Sequence, residues 1–183
     1  GGHEIGYHGY LHEQVRGIAK EEEAARMAQC EEIMQSITGR KMVGYRAPGG
    51  VMHPFTVELL KERNYFYSSS MKDADSPYIH KINGMESDIV ELCSDQSLDD
   101  NTYFFFCLTA PYVRRGINPP CVMLECWQRD FAVLKEEGGR IMIIKCHPQL
   151  IGRPLRIEAL REFISFVLKE DAWVTTCEEI ARY

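Results

Sequence analysis

No run of apolar residues in this 183-residue chain approaches the roughly 18 to 20 that a membrane helix requires. No stretch is rich in lysine or arginine either. The first absence excludes a membrane-spanning helix. The second, with a formal net charge of −6, leaves no electrostatic footprint for nucleic acid or an anionic membrane surface. Cysteine occurs seven times but never as a C-x-x-C pair. That odd, scattered set speaks against a disulfide framework and for reduced thiols, so a cytoplasmic location is expected. The first thirty residues lack the charged-then-apolar layout of a secretory signal. Internal repeats and low-complexity linkers are also missing, and no aspartate precedes Asp73. With 45% hydrophobic residues, the chain is long enough to bury a sizeable core, and a single domain over 1–183 acting on an uncharged or small polar substrate is expected.

What is present alternates between short apolar stretches and helical periodicity. HEIGYH reads as a strand and Glu13 to Ile37 as a helix stopped by Gly39, with Glu21, Glu22 and Glu23 on its solvated face. KMVGYR is strand-like and leads into the loop APGG. Pro54 opens a helix, as proline does at a first helical position. Short strands are expected at YFYSSS, YIHKI and DIVELC, and an aromatic, loop-rich stretch follows. Helices are expected from about Val122 to Glu136 and over LRIEALREFISFVLKE. RIMIIKC, apolar almost throughout, has the pattern of a strand buried in a parallel sheet. WVTTCEEIARY reads as a strand feeding a helix that Thr176 and Glu179 cap reciprocally. This order argues for an α/β fold with a parallel sheet, open or closed as a barrel.

Half of the six histidines lie within the first twelve residues, at His3, His8 and His12. The spacing His8-x-x-x-His12 would put two imidazoles on one side of a helical turn, within reach of one cation. Arg46 in GYRAPGG stands at a strand end before a turn that could offer the Gly49 and Gly50 amides to a developing oxyanion. His147 follows the apolar stretch MIIKC directly, where parallel α/β proteins bind their ligands. Three polar clusters, each just past an apolar strand, are expected to converge on one pocket. His3 is expected to be structural, while His53 and His80 have no partner motif. Tyr103 to Phe106 are expected in the core or at a subunit contact, and Met71 and Trp127 in packing.

GHEIGYHGYLH, YRAPGG and IIKCHPQLIGRPLR resemble, in order and spacing, the second, third and last motifs of the polysaccharide deacetylase (NodB homology) family. The ending HP-x-x-x-GRP-x-R and the SLDD at Ser97 to Asp100 are most similar to the intracellular peptidoglycan-deacetylase-like and allantoinase-like subgroup. The resemblance implies a distorted (β/α) barrel holding a divalent metal, usually zinc, and hydrolysis of an N-acetyl or related amide bond in a glycan or small molecule. It implies His8 and His12 as metal ligands, His147 as the general acid, and Arg46 as the residue that orients the base. Gly49 or Gly50 would contribute to the oxyanion hole, and Asp73 or Asp75 would be the acid supporting the histidine. Related subgroup members often carry a tryptophan where Gln96 stands, so a sugar-stacking ring is not expected there. The first motif of the family, a strand ending in two aspartates, has no counterpart here. An N-terminal segment carrying that strand and those aspartates is therefore expected outside this chain. Two further readings stand beside a glycan deacetylase: a ring-opening amidohydrolase acting on an allantoin-like or cyclic imide compound, and a non-catalytic binding protein that keeps the fold. Retention of both His8 and His12 favours the metal-dependent enzyme over the allantoinase-like one. A homo-oligomer is expected.

Overall fold

The computed structural model describes residues 2–13, 16–111, 113–114 and 116–183. The chain divides into two units, Gly1–Cys93 with Thr175–Tyr183, and Ser94–Val174.

The first unit is built on helix α1 (Lys20–Thr38). Glutamates in its first turn complement the positive end of the helix dipole. Gly39 ends it at φ 69°, where the absence of a side chain permits the left-handed turn that lets its amide reach the Gln35 carbonyl. Of the three successive glutamates only Glu21 and Glu22 face solvent. Glu23 is buried and accepts a hydrogen bond from the Thr56 hydroxyl, because a continuous run on a 3.6-residue helix must place one member on the inner face. Helix α2 (Pro54–Glu62) starts at its proline and buries Thr56, Val57, Leu59 and Leu60.

Strands β1 (Gly44–Tyr45), β2 (Tyr67–Ser68), β3 (Tyr78–Ile82) and β4 (Met85–Glu91) form one sheet in the order β1-β2-β4-β3. The pairs β1–β2 and β2–β4 are parallel, as the α/β pattern leads one to expect, and β3–β4 is antiparallel, so the sheet is mixed. The reason is local. Asn83 and Gly84 join the two strands with φ of 52° and 79°, the positive-φ pair of a two-residue hairpin turn. HEIGYH does not form a strand of its own. It runs beside β1 through one parallel bridge, with the Tyr7 amide donating to Gly44 (2.8 Å) and the Arg46 amide to Tyr7 (2.9 Å). A Cβ on Gly44 would lie 2.1 Å from the Tyr67 ring, so only glycine fits beneath that ring. Tyr7, Met27, Tyr45, Leu60, Tyr65 and Ile89 lie at the centre of this unit's core. Helix α7 (Cys177–Arg182) carries the reciprocal Thr176–Glu179 cap, while WVTT before it forms no strand.

The second unit packs α4 (Pro120–Glu137) against α6 (Pro154–Val167), with the short helices α3 (Asp100–Phe104) and α5 (Pro148–Ile151) beside them. Trp127 is its fully buried centre. It meets Phe163 edge-to-face at 5.5 Å between ring centroids and donates its indole N–H to the Ser97 carbonyl at 2.9 Å. Tyr103 and Phe104 belong to the same core, whereas Phe106 is exposed. Among the described residues RIMIIKC forms one bridge, Asp99 with Lys145, and no longer strand. Apolarity made it read as a buried strand; its partner is the segment around Leu98 to Asp100, through Lys145 N–H to Leu98 (2.9 Å) and Asp100 N–H to Lys145 (3.0 Å). Among the described residues no helix is long and apolar enough to cross a membrane.

Candidate active site

The two early histidines do approach one another, but not on a helix. Residues 8–13 form a turn in which Gly9 and His12 both take positive φ, 77° and 56°. The Glu13 carboxylate closes it by accepting from the amides of Leu11 (2.6 Å) and Tyr10 (3.2 Å). Partial burial pushes the Glu13 carboxyl up, but those amides and the Arg26 guanidinium at 3.2 Å outweigh it and hold the group below its ordinary range. A Cβ at Gly9 would lie 2.9 Å from the Pro48 ring, so the glycine lets the histidine turn seat against APGG. The His8 and His12 rings meet edge-to-face, with centroids 4.9 Å apart, and both residues are exposed.

His8 Nδ1 lies 2.8 Å from the Arg46 carbonyl oxygen. A carbonyl can only accept, so Nδ1 carries the proton and Nε2 presents a lone pair. A backbone carbonyl orients metal-ligating imidazoles in this way. Two neighbouring imidazoles, one with its tautomer set, are donors of the type a divalent metal ion accepts.

Arg46 leaves the end of β1 with its guanidinium turned to the segment after β2. Nε donates to the Ser69 carbonyl (2.8 Å) and Nη2 to the Ser69 hydroxyl (2.7 Å). Beyond it, Pro48–Gly50 forms a single 3₁₀ turn. The Gly50 amide is already given to the Ala47 carbonyl at 2.9 Å, so of the two glycines only Gly49 has an amide to offer an oxyanion.

His147, N-terminal to α5, is held by an acid that spacing alone did not single out. Asp100 is fully buried. Its Oδ2 accepts the His147 backbone N–H at 2.8 Å and its Oδ1 lies 2.6 Å from the ring Nδ1. Because the carboxylate accepts, Nδ1 bears the proton. Nε2 then has no hydrogen bond to the described residues, and the ring is partly exposed. Asp99 accepts from the Asn101 amide (2.9 Å) and faces Lys145 Nζ at 3.4 Å. The donor atoms of Asp99, Asp100 and His147 lie within 4.8 Å of one another, a spacing that a cation could also use. The hydrogen bonds already formed among them make a carboxylate–imidazole pair the better description, since Nδ1 carries the proton it donates to Asp100 and so has no lone pair for a cation.

Asp73 and Asp75, the acids expected to support His147, do not hold it. Asp73 accepts from the Tyr78 hydroxyl (3.3 Å) and Cys93 (3.2 Å), and Asp75 is exposed. In the sequence, the paired aspartates of SLDD at the start of a helix are the available signal for Asp100. Gln96 braces the turn before α3, its amide donating to the Thr102 hydroxyl at 3.1 Å. His80, which had no partner motif, meets the buried Glu91 at 2.7 Å. The structure thus brings His8, His12 and Arg46 together in the first unit, and His147 with Asp99 and Asp100 in the second.

Comparisons with known proteins bear on the fold and the family. Residues 1–68 match the polysaccharide deacetylase family profile. A Helicobacter pylori peptidoglycan deacetylase is 26% identical over 199 residues, covering 95% of this chain and 68% of its own. A Mycobacterium smegmatis crystal structure described as a polysaccharide deacetylase superposes with a TM-score of 0.89 at 34% identity, over 99% of this chain and 62% of that one. The Puue allantoinase structure gives 0.81 at 27% identity, over 99% and 58%. The chain thus spans about three fifths of those two structures and shares their fold. The profile match over residues 1–68 and the likeness of the chain to deacetylases over nearly its whole length together support assignment to the polysaccharide deacetylase family.

Proposed function

We propose that this protein is a metal-dependent hydrolase of non-peptide carbon–nitrogen bonds that removes acetyl groups from an N-acetylated sugar of glycan or peptidoglycan type. The observation that carries the reading is the His147 ring locked onto the buried Asp100 with Nε2 left as its acceptor nitrogen. Once protonated, that nitrogen can hand its proton to the amine leaving the scissile amide, and Asp100 stabilises the imidazolium before transfer. His8 and His12 would hold a divalent cation, most simply zinc, whose chemistry there is polarisation of the amide carbonyl and acidification of a nearby water. Arg46, anchored by Ser69, orients the carboxylate base, and the Gly49 amide donates to the oxygen that gains charge as the carbonyl is attacked.

The test is acetate release from N-acetylglucosamine oligomers and peptidoglycan fragments by the zinc-loaded protein, with a cyclic ureide in the same panel. Acetate production that chelation abolishes and His147→Ala removes would support the deacetylase. Ring opening of the ureide instead would favour the second reading, an allantoinase-like amidohydrolase, for which the match to the allantoinase structure over 99% of the chain speaks. No turnover of either class would leave the non-catalytic binding protein. We further read the protein as cytoplasmic and self-associating, acting on neither nucleic acid nor membrane. Exposed Leu155, Leu168 and Trp173 in the second unit are the apolar surface that self-association would cover, and sedimentation measures it.

A further inference from the structure

Glu91 is the last residue of β4, and its side chain is fully buried. A carboxylate in that position requires donors on both oxygens. Oε1 accepts the amides of Ser70 (2.7 Å) and Met71 (2.9 Å), and Oε2 lies 2.7 Å from His80 Nε2 on the neighbouring strand β3. Two consecutive amides caught by one oxygen pin the chain just past β2. The residue before them, Ser69, supplies both the carbonyl and the hydroxyl that hold the Arg46 guanidinium. Ser70 reaches the same region a second way. Its hydroxyl accepts the Ala47 amide at 2.9 Å and stands 2.9 Å from the Ser68 hydroxyl. One buried carboxylate therefore sits behind both the guanidinium and the first residue of the Ala47–Gly50 turn.

We propose that Glu91 and His80 are positioning residues for Arg46: the imidazole holds the carboxylate, the carboxylate holds the Ser70 and Met71 amides, and Ser69 consequently presents a fixed pair of acceptors to the guanidinium. Neither residue touches substrate. Their effect on turnover rests on the reading of Arg46 given above, but their effect on the guanidinium does not. β3 lies at the edge of the sheet, which makes His80 the position where this relay can be cut with least damage to the core.

The experiment follows the Arg46 Nε–H resonance, identified by its loss in Arg46→Lys, through solvent exchange in the full chain, together with acetate-release kinetics and melting temperature. In His80→Phe, which fills the space without a donor, exchange at Arg46 Nε–H accelerates about tenfold, the weight of one hydrogen bond. His80→Gln, whose amide can still donate to Glu91, restores slow exchange. Ser69→Ala, which removes only the hydroxyl acceptor, shifts the same resonance and so confirms the last link. The kinetic expectation for His80→Phe is a kcat lowered about tenfold with KM little changed, as for a group whose alignment matters in the transition state. A lowered melting temperature with unaltered Arg46 exchange in both His80→Phe and Ser69→Ala would reduce the pair to a brace of the sheet and overturn the proposal. Unchanged kcat in Arg46→Lys would overturn the hydrolytic role of Arg46 instead, and the exchange rates in the same samples would still decide whether the relay exists.

Discussion

Asp100 grips His147 at two places at once, the backbone amide with one carboxylate oxygen at 2.8 Å and the ring Nδ1 with the other at 2.6 Å. The double hold fixes the tautomer and also the ring's angle to its own backbone, so a partly exposed imidazole loses most of its rotational freedom. In the proposed hydrolysis, a general acid positioned in this way would need no rearrangement when the leaving group calls for a proton.

Replacing Asp100 by Asn removes the negative charge that favours the imidazolium while keeping the shape. Acetate release should fall about 10²-fold, approaching the loss in His147→Ala, which should lie between about 10² and 10⁴-fold. Steady-state kinetics measure both. A variant Asp100→Asn with wild-type kcat would separate the dyad from turnover.

Zinc titration against a competing chromophoric chelator distinguishes the two places where a cation could sit. His8→Ala and His12→Ala should each weaken binding by about 10²-fold or more, beyond what loss of a mere supporting partner costs, while His147→Ala and Asp99→Asn should bind as the wild type does. The opposite pattern would place the cation in the second unit, at Asp99, Asp100 and His147.

Burial pushes the Glu23 carboxyl above its ordinary value, against the opposing effects of the Thr56 hydrogen bond and His53. The folded chain therefore binds more protons than the unfolded chain between the ordinary carboxylate pKa and the raised one. By linkage, the Glu23 contribution is fully present below that window and is lost as pH rises through the folded value. Glu23→Gln, which cannot ionise, should gain in relative stability with rising pH across the window. The difference between the denaturation curves of the two proteins, taken from pH 4 to pH 8, isolates this slope from that of Glu13, which runs the other way.

Trp127→Ala should cost about 3 to 5 kcal/mol, the usual range for removing a large buried aromatic, because the indole packs on Phe163 and satisfies the Ser97 carbonyl. Denaturant unfolding followed by circular dichroism measures the loss in the second unit. A change under about 1 kcal/mol would mean that the surrounding helices collapse into the space.

Much of the local architecture was legible in the chain itself. Pro54 at the head of α2, Gly39 after α1 and the Thr176–Glu179 cap of α7 follow from interactions within one helical turn, which any reader of three or four consecutive residues can evaluate. The Asn83–Gly84 pair marks a hairpin by the same logic. His8, His12, Arg46 and His147 were legible as residue types at characteristic spacings, and so was the likeness to the polysaccharide deacetylase family. What only the tertiary structure decided was which groups meet. Asp100 and His147 are 47 residues apart, Arg46 and Ser69 are 23 apart, and Glu91 reaches back 21 residues to Ser70. The His8–His12 approach likewise came from positive φ at Gly9 and His12, not from the helical turn their spacing implied. Hydrogen-bond partners are chosen by distances of a fraction of an ångström in space. Residue identity announces that a buried carboxylate must find donors, and only the folded chain determines whose they are.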